Sequence, residues 1–504
     1  MPIPRLVITG ASGFIGRHVL QAVQGKAHTF ALARRSPAVS GAPTDPSITW
    51  RQVDVSHRGE VEQCFEAIRD AGGADVLLHL AGHYDFTGRR DPAYHSTNVL
   101  GMRHVLDAAV RVGIGRVVFA SSVAACQFPA QGRALTEMSD PDGDTPYAVS
   151  KRAGETMLAE YRGSLRSVII RFAALYSDWC EYEPLFRFLE RWLARVPTRR
   201  VLAGCGHSAV PYLHIRDAID FLLLVLANVD RFDDGGVLVA SPDGSVTHRE
   251  LFEAATAAHF GQRMQPVFVP KPLCRAGVVL RDLGGRAIGA RPFERWWMVR
   301  MIDRRLTVDS SATRQRTGWA PRARLDVRRR MPFLVEHRKT YPAEWHRRNH
   351  ASLRSVRRHD NLLIHRLLEA HARSLCSQLT DRLVNPKGPA TLARFRQFTH
   401  SELCAQHRVL IEELMTAVRT GEKGVFMEAC HDLAEHWRGH GLGLEATCEA
   451  LETLESLCRA ALTVPQTADL HWRDALHDHL TMTFQFGVDE VHEVYERRSV
   501  NEPW

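Results

Sequence analysis

Two patterns of apolar residues divide the chain. Up to about residue 330, short runs of β-branched and other apolar residues alternate with longer stretches of helical periodicity. Such alternation is typical of βαβ units, in which helices cover both faces of a parallel sheet. Six strands are predicted: Leu6–Ile8, Thr29–Ala33, Trp50–Val53, Val76–Leu80, Val117–Ala120 and Val168–Arg171. We therefore expect an α/β domain with a doubly wound parallel sheet and a small substrate-binding subdomain.

Beyond about residue 350 the apolar residues recur at helical spacing, and no strand pattern is present. Two runs show this spacing: Ile364, Leu368, Leu375 and Leu379, then Leu444, Cys448, Leu451 and Cys458. Four breaks interrupt them: Asn385–Pro389, Gly421–Gly424, Gly439–Gly443 and Val464–Thr467. The pattern predicts a separate all-α helical bundle of about five helices over residues 361–498.

Composition supports a folded chain with more than one domain. Its 504 residues exceed what one hydrophobic core usually supports, and 45% are hydrophobic against 24% charged. The chain shows neither a basic and apolar leader nor a run of about 20 apolar residues. Its ten cysteines form no Cys-x-x-Cys pair. These features predict a reduced cytoplasmic protein without a transmembrane segment.

The positive charge has a local origin. Residues 321–360 carry 12 Lys and Arg against 4 Asp and Glu, which accounts for the net charge of +8. We predict that the first domain covers residues 1–338 and that residues 339–360 form a basic linker. A solvated helix face is the favoured interpretation, and weak peripheral contact with an anionic membrane is the alternative. No nucleic-acid-binding motif accompanies the charge, so no specific nucleic-acid partner is expected.

A glycine-rich turn follows the first predicted strand. Six residues carry it into a helix that begins near residue 14: Gly10, Ser12, Gly13, Phe14, Ile15 and Gly16. Backbone N–H groups and the positive end of the helix dipole stabilise a pyrophosphate at such a junction, and glycine permits its close approach. The turn predicts a dinucleotide site, and an ordinary glycine-rich turn is the alternative.

The second predicted strand ends in Ala33, Arg34 and Arg35. An NAD-selective protein usually presents a carboxylate there to the ribose 2′-hydroxyl, whereas an arginine can pair with the 2′-phosphate of NADP. We therefore predict that Arg34 contacts the cofactor and that the cofactor is NADP, with NAD as the alternative. The alternative is that these arginines only lie in a solvated loop, and then the sequence gives no preference for NADP.

A tyrosine and a lysine four residues apart indicate proton transfer. Tyr147 and Lys151 share one face of a predicted helix, and an adjacent ammonium lowers the pKa of a phenol. Tyr147 is then the proton-transfer residue, and Lys151 can also hold the nicotinamide ribose. Ser122, after the fifth strand, can hydrogen-bond a substrate oxygen. We predict these three as the catalytic residues.

Six motifs in the first 335 or so residues resemble the extended short-chain dehydrogenase/reductase family, also called the NAD-dependent epimerase/dehydratase family. They are Thr-Gly-Ala-Ser-Gly-Phe-Ile-Gly at 9–16, Asp54-Val55, His79-Leu80-Ala81-Gly82, Thr97-Asn98-Val99, Ala120-Ser121-Ser122 and Tyr-Ala-Val-Ser-Lys at 147–151. The resemblance implies a Rossmann-type fold and an NAD(P)-dependent oxidoreductase. It implies that Asp54 and Val55 contact the adenine end of the cofactor and that Leu80, Ala81 and Gly82 contact its backbone. Asn98 would belong to the same cofactor site.

Departures from that family's patterns narrow the reaction. Val123 and Ala124 follow Ser122, where sugar-nucleotide 4,6-dehydratases carry an Asp-Glu pair, so elimination lacks its acid and base. The Phe172 that follows Arg171, and the Val210 before Pro211, differ from most sugar-nucleotide epimerases. A nucleotide-sugar pocket is therefore disfavoured.

Six large apolar residues in the substrate region together favour a hydrophobic substrate, although core packing is the favoured interpretation of each residue alone. They are Trp179, Phe186, Trp192, Trp296, Trp297 and Met298. We predict a ketone reductase or alcohol dehydrogenase that acts on a hydrophobic small molecule. A nucleotide-sugar epimerase and a dinucleotide-binding redox sensor remain as alternatives. The intact Ser122, Tyr147 and Lys151 set argues against the sensor.

The helical region carries no nucleotide motif. His431, His436 and His440 do not share one helix face, nor do His477 and His479, so we predict no metal site. Residues 437–462 resemble the helical sensor domain of stressosome co-antagonist proteins, which implies a regulatory or dimerising role. A homodimer and a protein partner of this region are both left open.

Overall fold

The computed structural model describes residues 5–287, 293–354, 360–385, 388–462 and 476–496. The chain forms two compact units, Met1–Arg357 and Arg358–Trp504. The strands β1–β13 are Leu6–Thr9, Thr29–Ala33, Ile48–Gln52, Val76–His79, Arg116–Ser122, Arg166–Phe172, Ala174–Tyr176, Val201–Ala203, Ala209–Val210, Tyr212–His214, Gly236–Ala240, Val246–Thr247 and Val267–Val269. The helices α1–α12 of the first unit are Phe14–Val23, Pro37–Ser40, Arg58–Asp70, Gly101–Arg111, Pro146–Glu160, Glu183–Trp192, Ile215–Ala227, His248–Phe260, Lys271–Ala287, Ser311–Thr317, Val327–Thr340 and Pro342–Arg354.

Seven strands of the first unit form one parallel sheet, in the order β11-β6-β5-β4-β1-β2-β3. The six predicted strands all belong to it, which confirms the doubly wound α/β prediction. Strand β11 was not predicted from the sequence, because the pattern of a five-residue apolar run does not distinguish a strand from a loop or a short helix. The chain order reverses at β1, which lies between β4 and β2. Ligands of such sheets bind at this reversal, beyond the carboxyl ends of the strands.

Strand β1 shows why the sheet is buried on both faces. Leu6 and Ile8 pack in one core cluster with residues of α1 and α7. Val7 points to the opposite face, into a second cluster with residues of α3 and α4. Successive side chains of a strand alternate between faces, so an unbroken apolar run marks a strand that is covered on both sides.

The structure corrects the predicted domain boundary and linker. Helix α12, within the predicted linker 339–360, packs on the first unit. Trp345 is fully buried and its Nε1 donates a hydrogen bond to Glu190 Oε1 at 3.1 Å, while Asn349 Nδ2 donates to the carbonyl oxygen of Trp179 at 2.8 Å. The first unit therefore continues past residue 338. Helix α12 was not predicted because its few buried residues stand among many Arg and His residues, so its sequence shows no clear apolar periodicity. Residues 355–359 lie outside the described part of the chain.

The described part of the second unit is helical, as predicted. Helices α13–α17 are Asp360–Leu383, His400–Thr420, Gly424–Gly439, Leu444–Ala461 and Met482–Glu496. Residues of the predicted helical spacing form its core: Ile364, Leu368, Leu375, Leu379, Leu451 and Cys458. Thr399 and Glu402 form a capping box at the start of α14, and Gly421 ends it with a φ of +79°. The predicted break at Val464–Thr467 and the predicted end at 498 lie outside the described residues.

Two of the histidines considered as metal ligands in the second unit have ordinary polar partners. His431 Nδ1 lies 2.8 Å from Glu490 Oε1, and His436 Nε2 lies 3.2 Å from Gln406 Nε2. Among the described residues, no helix is both long enough and apolar enough to cross a membrane.

Replacing Trp345 with Ala should destabilise the first unit by about 3–5 kcal/mol, because the change leaves a large cavity and removes a donor from Glu190. Trp296→Ala is the matched control: that side chain is 74% exposed, and we expect an effect below about 0.5 kcal/mol. Urea unfolding followed by circular dichroism measures both. Equal small effects would show that α12 does not pack on the first unit in solution.

Candidate active site

The glycine-rich turn at the end of β1 touches the backbone that leaves β4. Gly10 has a φ of +69°, and a Cβ at this position would lie 2.7 Å from the amide nitrogen of Ala81. A Cβ at Gly16 would lie 2.5 Å from the carbonyl oxygen of Gly10. Only glycine fits at both places. The turn is thus a backbone cradle of the kind that a dinucleotide pyrophosphate requires, and the residues present fit that group.

Helix α1 points its amino end at this cradle. Gly13 is its N-cap residue, and its first turn holds no acidic side chain. The first amides of a helix have no acceptor within it, so Phe14 and Ile15 present N–H donors and the positive end of the dipole. Ser12 lies in the same turn, where its carbonyl oxygen accepts a hydrogen bond from Arg35 Nη2 at 2.8 Å.

The residues predicted for the adenine end also lie at the carboxyl edge of the sheet. Asp54 follows β3 and is 2% exposed, and its Oδ1 accepts hydrogen bonds from the Ser56 amide at 3.0 Å and the Ser56 hydroxyl at 2.8 Å. Burial opposes ionisation of Asp54, but nearby Arg34 and the Ser56 donors outweigh it, so its pKa lies below the ordinary value. Val55 is buried and packs against Gly101. The structure therefore brings Arg34 and Asp54 together.

The three predicted catalytic residues lie together. Ser122 ends β5, while Tyr147 and Lys151 occupy the first turns of α5. Lys151 Nζ donates a hydrogen bond to the Ala120 carbonyl oxygen at 2.7 Å and lies 5.8 Å from the centroid of the Tyr147 ring. Gly82 lies beside this ammonium, since a Cβ there would be 3.9 Å from Lys151 Nζ.

Burial dominates the titration of this pair. It raises the pKa of Tyr147 to about 12, against a hydrogen bond with Ser122 that lowers it. It also lowers the pKa of Lys151 to about 8, against the nearby Glu155 carboxylate. Burial of the phenol therefore outweighs its hydrogen bond with Ser122. The lowering of this pKa by Lys151 stays a prediction.

A buried ion pair anchors α5 behind the catalytic residues. Arg171 of β6 donates to Glu155 through Nη2 at 2.8 Å and through Nε at 3.1 Å. The Ser121 hydroxyl donates to Glu155 Oε1 at 2.5 Å. Both charged side chains are at most 6% exposed. The pair ties α5 to β5 and β6, and sequence spacing gave no sign of it.

Asn98 holds the neighbouring loop. It lies in the π-helical segment Tyr94–Leu100, and its Nδ2 donates to the His83 carbonyl oxygen and to Ser150 Oγ, both at 2.9 Å. Its Oδ1 accepts the His83 amide at 2.5 Å. These bonds join the chain after β4 to α5, so the structure supports a positioning role. Contact between Asn98 and the cofactor stays a prediction, as do the binding roles of the other predicted residues.

An aromatic wall beside Tyr147 escaped the sequence analysis. The ring centroid of Tyr84 lies 4.6 Å from that of Tyr147, and Phe86 continues the wall at 4.7 Å from Tyr84. Phe86 in turn contacts Tyr182 and Phe293, each at 5.9 Å. The aromatic pair two residues apart, directly after the motif His79-Leu80-Ala81-Gly82, is the signal that could have revealed it.

The large apolar residues predicted to face the substrate lie mostly elsewhere. Phe186 and Trp192 are buried in a core cluster with Trp345, as core packing predicted for each residue alone, so they do not supply substrate surface. Trp179 stacks on His337 with ring centroids 4.4 Å apart, and Trp296 is largely exposed. Trp297 packs against the loop at Gly88, near the aromatic wall.

Comparison with known proteins identifies the family. Residues 6–240 match the model of the NAD dependent epimerase/dehydratase family. The chain is 30% identical over 208 residues to the uronate dehydrogenase of Pseudomonas syringae pv. tomato, which covers 38% of this chain and 70% of that protein. It is 29% identical over 147 residues to human 3 beta-hydroxysteroid dehydrogenase type 7, which covers 29% of this chain and 39% of that protein.

Solved structures share the fold. The UDP-glucose 4-epimerase of Thermus thermophilus in complex with NAD aligns with a TM-score of 0.51 at 21% identity, over 67% of this chain and 99% of that one. The dTDP-glucose 4,6-dehydratase of Streptomyces venezuelae with NAD bound aligns with a TM-score of 0.53 at 20% identity, over 68% and 99%. By its sequence match and its fold, the chain belongs to the NAD-dependent epimerase/dehydratase family and is an enzyme of the extended short-chain dehydrogenase/reductase type.

Proposed function

We propose that the chain is an NAD(P)-dependent ketone reductase or alcohol dehydrogenase that acts on a hydrophobic small molecule. The aromatic wall carries this proposal, because Tyr84 places apolar surface 4.6 Å from the ring of Tyr147. Such a wall can hold the apolar body of a substrate while its oxygen meets the hydroxyls of Ser122 and Tyr147.

Each residue of the site has a distinct part in the reaction. When bound, the nicotinamide cofactor would supply or accept the hydride. The Ser122 hydroxyl donates a hydrogen bond to the substrate oxygen and holds it next to Tyr147. In reduction the Tyr147 phenol donates its proton to that oxygen, and in oxidation its phenolate takes the proton from the carbinol hydroxyl. Lys151, whose Nζ donates to the Ala120 carbonyl oxygen, would hold the cofactor ribose and favour the phenolate when it forms.

Tyr147→Phe should lower kcat for reduction of a hydrophobic ketone by about 100-fold or more, because the proton donor is lost. The Kd for NADPH should not change. Tyr161→Phe is the matched control, since that hydroxyl bonds to Asp107 at the far end of α5. NADPH oxidation followed across a panel of ketones measures both variants, and full turnover by the Tyr147 variant would contradict the mechanism.

The same panel separates the alternatives. Oxidation of a sugar acid is the second candidate, favoured by the 30% identity to a uronate dehydrogenase over 208 residues, so NAD⁺ and NADP⁺ with a uronate belong in the panel. A nucleotide-sugar epimerase would keep its cofactor through purification and interconvert nucleotide sugars without net oxidation. A redox sensor would bind NADPH and turn over none of these compounds.

We infer that NADP is the preferred cofactor, bound through the arginines that follow β2. Burial, and then the positive neighbours Arg34 and Arg17, lower the pKa of Arg35. Cations gathered in this way repel one another, and a phosphate oxygen relieves the repulsion with charge-assisted hydrogen bonds. The bond from Arg35 to the Ser12 carbonyl joins this cluster to the cradle. NAD is the alternative, because both solved structures described above hold NAD.

Arg34→Gln should weaken NADPH binding by about 1.5–3 kcal/mol, roughly 10- to 150-fold in Kd, because a charged hydrogen bond to the 2′-phosphate is lost. The Kd for NADH should stay within experimental error. Arg51→Gln, an exposed arginine on β3, serves as the control. Fluorescence titration with both nucleotides gives the four constants. An equal loss of affinity for NADH would show that Arg34 supports the fold and does not bind the 2′-phosphate.

Lys151 should destabilise the fold at neutral pH. Its pKa falls from 10.5 to about 8 in the folded state, so between pH 8 and 10.5 the unfolded chain holds a proton that the folded chain lacks. The contribution of Lys151 to the free energy of unfolding therefore rises with pH across that window. Below pH 8 the burial of its charge destabilises the folded state by the full amount, up to about 3 kcal/mol. Lys151→Met should raise Tm at pH 7 and lose activity, and its advantage should shrink towards pH 10. A lower Tm at pH 7 would show that the bond to Ala120 outweighs the burial of charge.

A further inference from the structure

One imidazole and two carboxylates meet in the loop between β4 and the π-helical segment. A ligand atom from each of His83, Asp85 and Asp91 lies within 4.8 Å of the other two, and His83 Nε2 is 3.6 Å from Asp85 Oδ2. Donors around a first-row divalent cation lie roughly 3–4 Å apart when each bond is about 2.0–2.2 Å. Small side-chain rotations would bring these three atoms into that range.

The buried imidazole lacks hydrogen-bond partners. The His83 side chain is 2% exposed, and neither of its ring nitrogens forms a hydrogen bond within the described structure. Two other buried histidines of this unit differ, because His79 bonds to Thr9 at 2.9 Å and His214 to Asp178 at 3.2 Å. A buried polar atom without a partner costs about 1–3 kcal/mol, and a Lewis acid would supply the missing partner.

Apart from His83, the hydrogen-bond donors to the two carboxylates are neutral groups. Asp85 Oδ1 accepts hydrogen bonds from the Thr87 amide at 3.1 Å, the Thr87 hydroxyl at 3.0 Å and the Tyr94 hydroxyl at 3.1 Å. Asp91 Oδ1 accepts the Ala93 amide at 2.9 Å. Over the described ranges neither carboxylate forms an ion pair with Lys or Arg. Their orientation is therefore fixed, while His83 is the basic side chain beside them and no Lys or Arg of the described residues pairs with them, an arrangement that favours a cation.

We propose that His83, Asp85 and Asp91 bind a divalent transition-metal cation of the Zn²⁺ type. One imidazole nitrogen with two carboxylate oxygens suits Zn²⁺, Co²⁺ or Mn²⁺, whereas Mg²⁺ and Ca²⁺ prefer oxygen ligands alone. The spacing of histidines on helices of the second unit gave no sign of this site. These ligands lie in a loop, where spacing along the chain says little about distance.

The cation would stiffen the aromatic wall. Tyr84 lies between two of the ligands and packs on Tyr147, while the Tyr94 ring lies 4.7 Å from that of His83. Asn98 already holds the His83 backbone from the other side. Bonds from His83, Asp85 and Asp91 to one ion would close the loop on itself and fix Tyr84 and Phe86. The three ligands are positioning residues, and the site goes beyond the proposed reductase activity.

Metal binding by the full chain tests the proposal without cofactor or substrate. The EDTA-treated protein is dialysed against Zn²⁺ and its metal content measured, and Co²⁺ serves as a spectroscopic probe. The wild type should hold one equivalent of Zn²⁺ in this loop, give visible d–d absorption with Co²⁺ and gain in Tm. Asp91→Asn, whose amide oxygen can still accept the Ala93 amide, should bind at least about tenfold more weakly.

Two controls keep the outcome decisive. Asp140→Asn changes an exposed carboxylate outside the cluster and should bind like the wild type. His436→Ala with His440→Ala removes a neighbouring imidazole pair of the second unit, whose ring centroids lie 4.4 Å apart, and should leave the loop site intact. Unchanged Zn²⁺ content in folded Asp91→Asn and His83→Gln proteins would overturn the proposal, as would loss of that Zn²⁺ with the second-unit pair. Failure of the reductase assay would leave this result untouched.

Discussion

The contact between the turn after β1 and the backbone after β4 sets the geometry of the whole site. Gly10 has no Cβ, so its chain can approach Ala81 closely, and the Thr9 hydroxyl accepts the Ala81 amide at 3.2 Å. The parallel register of β1 and β4 places these two chain ends side by side. The first chain end carries the dinucleotide cradle, and the second continues into the loop of Tyr84. A side chain at residue 10 would push them apart and separate the cradle from the aromatic wall.

Buried charge then places the proton-transfer residue against this frame. Glu155 bonds to Arg171 and Ser121, and Lys151 bonds to Ala120, so α5 is tied to the end of β5 on two successive turns. Removing one partner of such a buried pair leaves an uncompensated charge and typically costs about 3–5 kcal/mol. The same burial holds the Tyr147 phenol in its protonated form. The burial that positions Lys151 and Tyr147 for the reaction thus lowers the stability of the fold, a conflict that is common at active sites.

The second unit has a core of its own. Trp437 and Phe426 are fully buried among the apolar residues of α13–α17, and α14 has complete caps at both ends. Such an element can fold around its own apolar residues. Its resemblance to a helical sensor domain remains a prediction, and its His431 and His436 have polar neighbours within the unit.

The sequence by itself determined the features that depend on local geometry. Strand runs, the positive φ at Gly10 and the four-residue spacing of Tyr147 and Lys151 are properties of short segments, so the sheet and the three catalytic candidates could be predicted. Tertiary structure decided what depends on residues far apart in the chain. Tyr84 and Phe86 lie beside the phenol of Tyr147, whereas Phe186 and Trp192 lie in a core cluster. Helix α12 packs within the first unit. Tertiary structure also set the pKa values of Tyr147 and Lys151, because burial sums over neighbours that no local pattern specifies.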